Sequence, residues 1–134
     1  MGEVEGVVQF PEVPKEGSLV IALVPSGNTE AWPSKLPVEI LTASVPEVHE
    51  TMRRIMNVPP YYKMNSRFGF SFGEILPGDY RVKVLWKKAL VDRGSASEIK
   101  PAPGDLLGES ESVTVTAGIT IEPMTFKCDR PVAR

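Results

Sequence analysis

The chain has 134 residues, with 15 lysines and arginines, 17 aspartates and glutamates, and a formal net charge of −2. This length predicts a single domain over residues 1–134, and the balanced charge argues against nucleic-acid binding, which needs a basic excess. No apolar run approaches the ~20 residues of a membrane-spanning helix. Cys128 is the only cysteine, so the chain has no partner for an internal disulfide.

The first three predicted elements are strands. Residues 4–10 alternate between apolar and polar, with Val4, Gly6, Val8 and Phe10 on one face. Residues 18–24 are apolar on both faces, which is typical of a central strand covered on both sides. The following loop carries Trp32, and residues 36–43 form a third strand candidate.

Residues 44–57 have a helical pattern instead. Ser44 and Glu47 have the spacing of a capping box, and the pair Pro59–Pro60 would end a helix. The apolar positions that recur at helical spacing are Val48, Met52, Ile55 and Met56. The pattern predicts a short amphipathic helix near 45–57, inserted between strands, with Arg53 and Arg54 on its outer face. Tyr61 to Asn65 is a candidate edge strand.

Two further strands are predicted around a Pro-Gly turn. Three phenylalanines alternate with small residues over 68–73, and Tyr80, Val82, Val84 and Trp86 share one face of the next strand. Because basic residues occupy most of its other face, we expect that strand to be half-buried. Pro77 and Gly78 suit a tight turn, and Tyr80 would bury its ring there while its hydroxyl reaches backbone, a tyrosine corner.

The segment 92–110, rich in Gly, Ser and Pro, reads as a long linker. Its carboxylates are Asp92, Glu98, Asp105 and Glu109. Calcium prefers such oxygen ligands, but their spacing fits no calcium loop, so we expect a solvated acidic loop. Residues 113–116 and 119–126 are the last strand candidates, and the change of apolar phase at Pro123 indicates a bulge or an edge position.

Seven or eight short strands separated by turns predict an all-β sandwich. The stretch Gly69-Phe70-Ser71-Phe72, followed by residues 75–84 (ILPGDYRVKV), resembles the carboxypeptidase regulatory-like, or transthyretin-like, modules. Residues 5–8 and 112–118 are similar to the opening strand and late turn of that group, whereas 43–65 is not covered. The resemblance implies a seven- to eight-stranded antiparallel Greek-key sandwich. It also implies an exported or surface-associated bacterial protein, although the first residues lack a signal peptide's features.

Enzymes with similar sandwiches give no matching site. Hydroxyisourate hydrolases and intradiol dioxygenases use at least two histidines, and this chain has only His49, on the predicted helix. A lone histidine falls short of a zinc site as well. The sequence therefore predicts no catalytic residue, metal or cofactor.

A non-catalytic accessory or protein-interaction module is the function that these observations favour. The alternative is a carbohydrate-binding module that uses exposed aromatic rings, for which the candidates are Trp32, Tyr61 and Tyr62. Arg53 and Arg54 add a basic patch that is compatible with a protein partner, including a second copy of the chain. No Gly-x-Ser-x-Gly elbow or phosphate-binding loop points to another class.

Overall fold

A computed structural model describes residues 2–12, 14–33, 37, 39–45, 68–88, 99–117 and 123–132. All elements within these residues are strands. They are β1 (Gly2–Gln9), β2 (Ser18–Pro25), β3 (Glu39–Ser44), β4 (Gly69–Ile75), β5 (Gly78–Lys87), β6 (Leu106–Glu109), β7 (Val113–Val115) and β8 (Met124–Pro131). The described residues contain no helix long and apolar enough to cross a membrane.

The strands form one mixed sheet that curls into a nearly closed barrel. Their order is β3-β2-β5-β6-β8-β1-β4, and β7 pairs with β5. One half of β8 pairs in parallel with β1, and the other half pairs antiparallel with β6. The expectation of a purely antiparallel sheet was therefore wrong, and so was an edge position for the last strand. A bulge does occur in β8, but opposite the step from Leu107 to Gly108 rather than at Pro123.

The barrel encloses an inner core to which most strands contribute. Along β1, inward residues alternate with exposed ones as predicted, and Val4 and Val8 are buried. The predicted central position of β2 is confirmed, because the strand lies between β3 and β5 and is buried from Ser18 to Val24. Its alternate residues Leu19, Ile21 and Leu23 belong to the inner core.

The corner between β4 and β5 also has the predicted form. Phe68, Phe70 and Phe72 are buried in the inner core. The Tyr80 ring is buried, and its hydroxyl donates a hydrogen bond of 2.7 Å to the carbonyl oxygen of Leu76. A local turn thus satisfies the polar tip of a core tyrosine, which explains the Pro-Gly-x-Tyr spacing.

The sheet carries a second, outer core, as the prediction that residues 18–24 are covered on both sides implies. Val20, Leu85, Ile99 and Leu107 are buried together on the opposite face, with Trp32, Ile40 and Val132 packed against them. The prediction that β5 is half-buried was wrong, because this layer covers Leu85, and Lys83 is only 1% exposed.

The predicted linker 92–110 contains a strand. Leu106–Glu109 is β6, which pairs with β5 and β8, so the acidic-loop interpretation of this part was wrong. Apart from Ser44, which ends β3, and Val45, the predicted helix lies outside the described residues, as does the candidate edge strand at 61–65. Val45 is buried, and its amide donates to the carbonyl oxygen of Gly17 at 2.9 Å.

Candidate functional site: a groove beside Trp86

An open cavity of about 590 Å³ lies against the connection between β1 and β2. We call it the Trp86 groove. One wall is the 10–16 connection, and the other is formed where β5 ends and β6 begins. Its lining residues are Phe10, Pro11, Glu12, Pro14, Lys15, Glu16, Trp86 and Leu106. The volume falls within the range of clefts that bind small ligands or individual side chains.

The Trp86 ring is held in a fixed position at the end of β5. Its indole N–H donates a 2.9 Å hydrogen bond to the carbonyl oxygen of Glu16. Gly17 permits this close approach, since its φ is 90° and a Cβ there would collide with the carbonyl oxygen of Lys87. The connection and the strand end are therefore joined by backbone geometry that another residue would disturb.

The base of the groove is continuous with the inner core. Phe10, Leu106 and Trp86 are half-buried, and all three pack against inner-core residues. The Phe10 ring meets the Phe68 ring edge to face, with centroids 5.0 Å apart. One side of each apolar residue is thus supported by packing, while the other borders the cavity.

Charged side chains form the rim of the groove. Glu12, Lys15 and Glu16 are exposed. Within the described part of the chain, none of the three takes part in an ion pair. These charges are therefore available to a ligand that enters the cavity.

A second polar region, the outer-face network, consists of Lys83, Glu109 and Arg130. The ammonium of Lys83 donates to a Glu109 carboxylate oxygen across adjacent strands, and a guanidinium nitrogen of Arg130 lies 3.9 Å from the other oxygen. The hydrogen bond from Lys83 holds the pKa of Glu109 below its usual range. Desolvation of the carboxylate opposes this lowering, and the positive charges of Lys83, Arg130 and Arg81 add to it. This network satisfies a lysine that is buried inside the fold.

Asp105 organises the loop before β6. Its carboxylate accepts hydrogen bonds from the Lys87 ammonium at 2.8 Å and from the amides of Ala102 and Lys88 at 2.9 and 3.1 Å. Of the carboxylates considered for calcium, Asp105 and Glu109 are thus bound to lysines, while Asp92 and Glu98 lie outside the described residues. The described residues hold no group of three or more metal-ligating side chains.

Cys128 belongs to the inner core. It is fully buried, and burial raises the pKa of its thiol to about 12 despite a hydrogen bond to the Trp86 backbone. A thiol in this state is a small core residue rather than a nucleophile.

The structure places the predicted aromatic site residue Trp32 in a structural position. Trp32 is half-buried, packs against the outer core, and donates its indole N–H to the carbonyl oxygen of Ile99 at 3.1 Å. The other four predicted binding residues, Tyr61, Tyr62, Arg53 and Arg54, lie outside the described residues, as does His49. The structure therefore does not bring the predicted set together.

None of the residues that line the groove was predicted as a site residue from the sequence. Trp86 was assigned to the core from its strand face, and it does pack against the core, but it also lines the groove. The available signal was the 10–16 connection, where Phe10, Pro11 and Pro14 lie among charged residues. Only the fold shows that this connection lies beside the end of β5.

Comparison of the chain with models of protein families, with curated proteins and with solved structures gives no match.

Proposed function

We propose that this chain is a non-catalytic protein-interaction module and that the Trp86 groove is its binding surface. The observation that carries the proposal is the exposed side of a fixed aromatic ring in a concave site with an apolar base. Apolar side chains seated in such cavities, surrounded by polar rims, contribute much of the binding energy of protein interfaces. The groove is large enough to receive such a side chain.

Preorganisation supports this proposal. The hydrogen bond from Trp86 to Glu16 and the packing of Phe10 on Phe68 fix the groove before a partner arrives. A rigid site loses little conformational entropy on binding, so a modest contact area suffices for useful affinity.

The carbohydrate alternative now has weaker support. Trp32 packs its ring against the outer core and is not among the residues that line the groove. Within the groove, Trp86 is the ring on which a sugar would stack. The prolines and Leu106 around it favour an aliphatic chain over a hydroxylated ring.

A relationship to the transthyretin-like modules is part of the same proposal. Its support is the tyrosine corner at Leu76–Tyr80 and the pairing of β8 with β1 through one half and with β6 through the other. In this view the chain is a divergent Greek-key sandwich in which β8 bridges the two halves. Its placement in an exported bacterial protein has only the sequence resemblance behind it.

The proposal is tested by selecting displayed random peptides against the chain and measuring the affinity of the enriched sequences. Pro11→Lys places an ammonium in the groove wall at an exposed position. Leu76→Lys is the matched control, because Leu76 is an exposed apolar residue, at 65%, on the β4–β5 corner. We expect enriched peptides to lose at least about 10-fold in affinity for Pro11→Lys and to bind Leu76→Lys normally.

Enriched peptides that bind both variants equally would show that the interaction surface lies outside the groove, and this result would overturn the proposal. The carbohydrate-binding alternative is tested on a glycan array with the wild type and the same two variants. Sugar binding that disappears with Pro11→Lys would replace the protein-interaction proposal with a carbohydrate-binding one.

A further inference from the structure

We infer that the groove binds a cationic side chain, arginine or lysine, on an extended segment of a partner protein. This inference rests on the proposed function and names the chemistry of the group that the groove receives. It depends on the charges of the rim, the aromatic base and the state of the Trp86 indole N–H.

The rim has more negative than positive charge. Glu12 and Glu16 contribute two carboxylates and Lys15 contributes one ammonium, and all three side chains are exposed. Because no ion pair within the described residues neutralises the two carboxylates, a cation from the partner gains their attraction without displacing a partner already in place.

The base of the groove suits the same group. Trp86 and Phe10 line the groove, and an aromatic ring attracts a cation placed over its face through the ring quadrupole, Trp most strongly. The stem of an arginine or lysine is apolar and would pack against Leu106 and the prolines while its charged end meets the rim. A groove of this composition thus matches both parts of a basic side chain.

The hydrogen bond of Trp86 decides which part of this ring is left for a ligand. The indole N–H of Trp86 already donates to Glu16, so the ring offers its face rather than its donor. A ligand that needs a face and nearby carboxylates is a cation.

The test uses the peptides enriched against the full chain. Each basic residue of an enriched peptide is replaced in turn, arginine by citrulline and lysine by norleucine, which keep the shape and remove the charge. We expect one replacement to reduce affinity about 10-fold or more. The double variant Glu12→Gln/Glu16→Gln should cause a similar loss, and Lys15→Met should tighten binding.

The matched control is Glu3→Gln/Glu5→Gln, which removes the same charge from exposed positions on β1 away from the groove. It should leave affinity unchanged at physiological salt, where charges beyond about 8 Å are screened. If the control weakens binding as much as the groove variant, long-range charge rather than the groove explains the preference, and the inference fails.

The test distinguishes a failure of the cationic side chain from a failure of the proposed interaction groove. Peptides that depend on Pro11 but tolerate every charge replacement would overturn the cationic side chain and leave the interaction groove intact. If no enriched peptide depends on Pro11, the proposed function fails, and the inference fails with it.

Discussion

The charged residues near the two faces of β5 differ in whether they form ion pairs within the fold. On the outer face, Lys83 is buried and its ammonium is neutralised by Glu109 within the fold. At the end of the inner face, Trp86 borders an open groove whose rim charges form no ion pair within the described residues. The buried charge of the outer face is thus paired within the fold, whereas the exposed charges of the rim are not paired within the described residues.

We therefore expect mutations in the two regions to have different effects on stability and on binding. Removing Glu109 from the outer-face network leaves the desolvated ammonium of Lys83 without its partner, so stability should fall. Changing the rim of the groove removes no internal partner, so stability should hold while binding changes.

The largest effect is expected from Glu109→Leu. It leaves the ammonium of Lys83 buried without its carboxylate, which should cost about 3 kcal/mol of unfolding free energy, the lower end for a broken buried pair because Glu109 is itself one-third exposed. Urea unfolding measures this loss. The double variant Lys83→Met/Glu109→Leu should recover most of it, and a double variant as unstable as the single one would show that the pair is not the reason.

Asp105→Ala should destabilise the chain by about 2 kcal/mol, because the Lys87 ammonium and the amides of Lys88 and Ala102 lose their acceptor. Hydrogen exchange of the Ala102 and Lys88 amides, followed beside urea unfolding, should show faster exchange. Glu12→Ala at the groove rim is the comparison substitution and should change stability by less than about 0.5 kcal/mol. Equal losses from the two substitutions would contradict the distinction between the regions.

A smaller effect is expected from pH. Lys83 holds the pKa of Glu109 below its usual range, so the carboxylate binds its proton less readily in the folded state. Its contribution is therefore complete above the unfolded pKa of about 4.3 and is lost as the pH falls through the folded pKa. Unfolding free energies at pH 7 and in this acidic range should diverge more for the wild type than for Lys83→Met/Glu109→Leu. Parallel pH profiles would rule out this pair as an acid-sensitive contact.

The smallest effect on stability is expected from Pro11→Lys. Pro11 is exposed at the groove wall, so the unfolding free energy should stay within about 0.5 kcal/mol of the wild type. A thermal or urea unfolding curve that overlays the wild-type curve, together with lost peptide binding, would separate recognition from folding. A large loss of stability would instead mean that the connection is part of the core.

Local sequence patterns were sufficient to predict β1, β2 and the corner between β4 and β5. Alternation placed Val4 and Val8 inside, continuous apolarity placed β2 between neighbours, and Pro77, Gly78 and Tyr80 specified a turn that satisfies its own tyrosine. These features depend on side-chain period and turn geometry, which act over a few residues.

Tertiary structure alone decided which faces are covered and which residues meet. Polar residues along β5 predicted a solvated face, but Ile99 and Trp32 cover part of it, and Glu109 on β6 makes the burial of Lys83 tolerable. The parallel pairing of β1 with β8 and the approach of Pro11 to Trp86 join residues far apart in the chain. Alternation shows that a residue turns to one side of its strand, but only the assembled barrel shows whether that side meets core, an ionic partner or an open groove.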